Sequence, residues 1–183
     1  MSAGRFEGPA RRRAARVLEQ TVDRFRAAGY TEARQAGALE ARLAGSGRLP
    51  LSLRMAAAGR VFGGNYGLEV STSGPVLEPS AGLTARGRGA VRLRGIRFRA
   101  RRGDQVGHRL ADALGADAQL VERLTRVHFE AIRVEPDGRA VIRHMGGSVV
   151  WILFPPLVMG VPLVDEQVRA TAAALEAFAT FDV

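Results

Sequence analysis

The sequence has no cysteine, which excludes disulfides, thiolate metal sites and thiol nucleophiles. It has no lysine either: all 27 basic residues are arginine. Without a side-chain amine there is no Schiff base and no phosphate-loop lysine. The spacings HExxH, GxSxG and GxxxxGKS/T are also missing. Gly63-Gly64-Asn65-Tyr66-Gly67 is rich in glycine, but it lies between strand patterns, with no helix after it to cradle a phosphate. Ser71, Thr72 and Ser73 have no adjacent base. These absences imply no cofactor and no metal, and they lean away from an enzyme.

What is present fits one domain. A chain of 183 residues, 46% hydrophobic and 25% charged, has ordinary globular composition. It should bury roughly 70% of the surface its unfolded form exposes, enough for a core without staples. The net charge is +9 and the pI about 11.5, a field that favours acidic proteins, anionic membrane surfaces or nucleic acid. The all-arginine skew, with Asn65 the only asparagine, also reflects a GC-rich coding sequence. Arg11-Arg12-Arg13 is followed by Glu19, Asp23, Arg24 and Arg26 rather than by an apolar h-region. The expectation is therefore a cytoplasmic protein that is not exported.

Along the chain the period of the pattern changes. Residues 1–8 read as a loose tail, and 9–29 as an N-terminal helix with Ala14, Val17, Leu18, Val22 and Phe25 on one face. Pro9 suits its first turn and Gly29 its stop. Residues 37–101 are mainly strands: Leu39, Ala41 and Leu43, then Leu49 to Met55, Tyr66 to Val70, Leu83 to Arg86, Val91 to Leu93, and Ile96 to Ala100. Residues 104–126 predict a helix pair divided at Gly115 and Asp117. Residues 128–154 predict a hairpin about Pro136-Asp137-Gly138, then a buried strand. A C-terminal helix spans 165–180. The fold class expected is α+β: an antiparallel β-meander packed against the N-terminal helix, the central pair and the C-terminal helix.

Three features carry candidate functions. Within one strand Arg97, Arg99 and Arg101 oppose Ile96, Phe98 and Ala100, and Arg92 and Arg94 oppose Val91 and Leu93. A turn at Gly95 puts all five guanidinium groups on one face, either solvated or tracking an anion. Phe98 falls on the other side, which disfavours base stacking, and no helix-turn-helix or zinc-finger spacing supports duplex reading. Ser148 to Val164 is free of charge, but three prolines and Gly160 break it, and it is shorter than the ~20 residues of a membrane-spanning helix. It reads as a strand buried on both faces running into a loop. The alternative is an exposed patch, with Trp151, Phe154 and Leu157 docking a partner or an anionic bilayer. Finally, an unbroken hairpin register sets Ile132 against Ile142 and Glu130 against His144, with His128 on the same side. Such a cluster suits a metal or an acid/base pair, or an ordinary cross-strand contact at the rim.

The segments Arg86-Gly-Arg-Gly89, Val141-Ile-Arg-His-Met-Gly-Gly147, Trp151 and Phe154-Pro-Pro-Leu157 resemble a bacterial family of unknown function from high-GC genomes. The likeness runs from about Tyr66 to Phe178. It implies a cytosolic bacterial protein with no assigned activity, cofactor or catalytic residue. The function expected is a non-enzymatic binding or accessory protein that turns its arginine face toward anionic partners. The alternative is a small metal-dependent or acid/base enzyme using His128, Glu130 and His144.

Overall fold

The computed structural model describes residues 4–60, 63–80, 82–88, 95–152 and 157–181. Helix α1 (Gly4–Ala27) buries Ala10, Ala14, Val17, Leu18, Thr21 and Phe25 in one stripe and leaves Arg11, Arg12, Arg13 and Arg16 exposed. It begins before Pro9, so the tail expected over 1–8 is partly helical. Pro9, in the second turn, gives up one backbone bond and crowds the carbonyl four residues before it. The chain leaves the helix at Gly29, whose φ of +103° suits glycine.

Four strands follow as a meander: β1 (Glu32–Gly37), β2 (Glu40–Ala44), β3 (Leu51–Arg60) and β4 (Gly63–Thr72), each antiparallel to the next. Then come β5 (Leu83–Arg88) and β6 (Gly95–Ala100), and two helices, α2 (Gln105–Ala116) and α3 (Ala118–Thr125). Asp104 and Asp117 cap these helices, each accepting backbone N–H bonds of the first turn. Gly115 lies inside α2, one residue before its end, rather than after it. Strands β7 (Phe129–Val134), β8 (Ala140–His144), β9 (Ser148–Ile152) and β10 (Leu157–Val161) complete the sheet, and α4 (Asp165–Ala179) closes the chain. The expected strand at Val91–Leu93 lies outside the described residues.

The strand order is β1-β2-β3-β4-β8-β7-β5-β6. Strand β4 is shared. Its second half, Glu69 to Ser71, pairs with β8, and its first half, Gly63 to Tyr66, pairs with β9, which pairs in turn with β10. One face is apolar: Leu43 opposes Leu51, Leu53 opposes Val70, Val70 opposes Ile142, Ile142 opposes Ile132, and Ala85 opposes Phe98. All are buried. The helices cover this face, with Leu110, Leu114, Leu120, Leu124, Leu175 and Phe178 in the same core and Phe98 set edge-on to Phe178. Among the described residues no helix covers the opposite face.

Two expectations are revised here. The hairpin forms as read, with the Gly138 N–H bonded to the Glu135 carbonyl and Gly138 at φ +84°. Its register holds at Ile132–Ile142, but a bulge at Glu130 then sets Phe129, not Glu130, against His144. Within 148–164 the described residues do not form a doubly buried strand running into a loop: Ser148–Ile152 and Leu157–Val161 pair as the antiparallel strands β9 and β10, with one face on α1 and the other open to solvent.

Candidate functional site

On the helix-free face the registers align into a single row that crosses eight strands. Arg34 opposes Arg42, Arg42 opposes Ser52, and Ser52 opposes Ser71. Ser71 opposes Val141, Val141 opposes Arg133, Arg133 opposes Thr84, and Thr84 opposes Arg99. Directly opposed residues of an antiparallel sheet project on the same side, so this one row places guanidinium groups at both ends and hydroxyls near its middle. The adjacent row holds Glu40, Arg54, Glu69 and Arg143 in succession, and Arg86 opposes Arg97 farther along. Between the two rows lies a hollow of about 250 Å³, lined by Ser52, Ser71 and Val141 together with Glu69 and Arg42, Arg54, Arg133 and Arg139.

Glu69 organises this hollow. Its side chain is only 6% exposed, and each carboxylate oxygen accepts one guanidinium bond: from Arg54 at 2.7 Å and from Arg133 at 2.9 Å. Burial pulls its pKa up, but the Arg54 hydrogen bond and the charge of Arg133 outweigh burial and hold the carboxyl below its usual value. The arginines stand upright because the acid between them is fixed. Sequence reasoning missed Glu69. Its outward phase was readable from Tyr66-Gly-Leu-Glu-Val70, but the partners that bury it come from β3 and β7, which only the registers reveal.

The sequence candidates fall as follows. Arg97, Arg99 and Arg101 are exposed, and among the described residues none has a carboxylate partner. Arg34 and Arg42 are in the same position at the far edge. Arg92 and Arg94 lie outside the described residues. His128, Glu130 and His144 are not brought together. His128 is exposed in a left-handed conformation (φ +53°), and Glu130 points to solvent and pairs with Arg143 at 3.0 Å. His144 is buried on the helix side, its Nε2 at 3.3 Å from Thr171 Oγ1. Thr171 gives its own proton to the Gln167 carbonyl, so Nε2 carries hydrogen and donates. Burial pushes the pKa of His144 down to about 4, which keeps the ring neutral. Among the described residues no three histidine or acidic side chains are arranged to hold a metal ion. No helix among them is long and apolar enough to cross a membrane.

Of the apolar candidates, Trp151 turns inward: its ring lies 5.3 Å from that of Tyr66 and over Gly64. Phe154 lies outside the described residues. Leu157 is exposed, and it is joined there by Val150, Ile152, Met159 and Val161, which the reading of a buried strand had hidden.

A family model described as a protein of unknown function (DUF3156) matches residues 23–181. The chain belongs to that family. The DUF3156 match takes in every strand, the hollow and the last turn of α1 through α4. No curated protein matches the chain, and neither does any solved structure.

Proposed function

We propose that the protein is a non-enzymatic binding protein whose helix-free sheet face receives an anionic partner. What supports this is the row from Arg34 to Arg99, which ends on both sides in guanidinium groups without carboxylate partners among the described residues. Acidic proteins, anionic membrane surfaces and nucleic acid all present the oxygens such a row would meet. A cytoplasmic setting suits all three. Arginine stays charged at any physiological pH, so binding should respond to salt far more than to pH.

A heparin column tests this directly. The wild-type protein should be retained, and Arg97→Glu combined with Arg99→Glu should elute at distinctly lower salt. Arg34→Glu with Arg42→Glu, at the far end of the row, should do the same. Each of these side chains is exposed, so the fold should survive its replacement. Elution of both variants at the wild-type salt concentration removes the proposal.

A further inference from the structure

The face that carries the arginine row also carries a cluster of exposed apolar side chains. In the β9–β10 hairpin Val150 opposes Met159, Ile152 opposes Leu157, and Val161 opposes Ser148. Val150 and Ile152 also oppose Asn65 and Gly63 of β4. Those two residues are in phase with Glu69 and Ser71, and hence on the helix-free side. Five aliphatic side chains, between 37% and 53% exposed, thus form one patch. Patches of that kind on soluble proteins mark contact sites.

We infer that this patch inserts into the surface of an anionic lipid bilayer while flanking arginines take the lipid phosphates. The inference deepens the proposal above and rests on it. Charge says what covers the patch. No acidic residue occurs between Asp137 and Asp165. Arg54 stands on the same face one row beyond. Helix α1 packs on the inner face of the same hairpin, where Arg13 sits beside Gly160 of the outer strand β10. Arg11, Arg12, Arg13 and Arg16 are all exposed, with no carboxylate partner among the described residues. An aliphatic strip bordered by guanidinium groups is the pattern that holds a protein at an anionic interface.

Other occupants fit less well. A second copy would bring its own +9 against this one. Protein interfaces are enriched in aromatic side chains at their centre, and none is among the exposed side chains of this patch. Nucleic acid has no use for an aliphatic strip. Among the described residues strand β10 has one edge without a strand partner, and hydrocarbon does not tolerate open edges. Insertion is therefore shallow: side chains enter the acyl region and the backbone stays at headgroup level.

The test is flotation of the full chain with vesicles of phosphatidylcholine alone, or of phosphatidylcholine with phosphatidylglycerol. The protein should float only with phosphatidylglycerol, and each arginine removed from α1 should lower partitioning roughly fivefold. Ile152→Ser with Met159→Ser should abolish flotation while leaving heparin elution unchanged, which also reports an intact fold. Heparin retention without flotation overturns the lipid inference and leaves the anionic-partner proposal standing; loss of both ends the two together. Flotation of the double variant at the wild-type level overturns insertion of the patch. A stable dimer that the double variant splits overturns it as well and gives the patch to a second copy.

Discussion

At the scale of single residues, Glu69 decides how the hollow is built. Two arginines from different strands converge on one buried carboxylate, and removing it leaves both without a counter-charge. Breaking a buried pair costs about 3–5 kcal/mol, but Arg54 and Arg133 are themselves partly exposed and can turn to water. The expected loss for Glu69→Gln is therefore smaller, roughly 1–3 kcal/mol, read from the urea midpoint. An unchanged midpoint would mean that the acid is a bystander. The outward phase of Arg97 and Arg99 was legible because alternation needs only the residues on either side. Glu69 and the Phe129–His144 pairing were not, because burial and register depend on which strands neighbour which, and one extra residue at a bulge turns every following side chain over.

At the scale of elements, alternation located β2, β3, β4, β5 and β6, where polar and apolar residues take turns. It failed for β10, since Leu157-Val-Met-Gly-Val161 has no polar residue to mark a face, although the strand exposes alternate side chains. It failed for β1 as well, an edge strand that needs no large apolar residues. The hairpin β9–β10 is seated by a close approach. A Cβ on Gly64 would fall 2.3 Å from the Trp151 ring and 2.8 Å from the Ala58 carbonyl oxygen. Neither the ring, packed at a tilt against Tyr66, nor the strand backbone can yield cheaply. Gly64→Ala should destabilise the protein by about 1–3 kcal/mol and change the near-ultraviolet signal of Trp151. A wild-type spectrum and midpoint would refute that seat.

At the scale of the whole molecule, the sheet separates two kinds of burial, and pH should reveal both. His144, on the helix side, is pushed down to about 4 from a usual 6.5, so the unfolded chain takes up its proton first. Stability is then complete above about pH 6.5 and declines as pH falls toward 4, by roughly 3 kcal/mol for that gap. Glu69, on the open side, lies below its usual value. Its contribution is present above the usual carboxylate range and is lost as pH falls through its lowered value. Urea midpoints measured across this range should show two successive declines. His144→Leu should remove the upper one and spare the lower. If the upper decline persists in that variant, His144 is not its source.

Because β4 gives one half of its length to β9 and the other to β8, no joint separates the oily corner of the sheet from its charged hollow. A single stiff ribbon of backbone runs through both. A molecule lying on lipid by that corner would carry the hollow at a constant tilt, like a sextant clamped to a rail. Whatever the arginines hold would then be presented at a set height and angle above the surface.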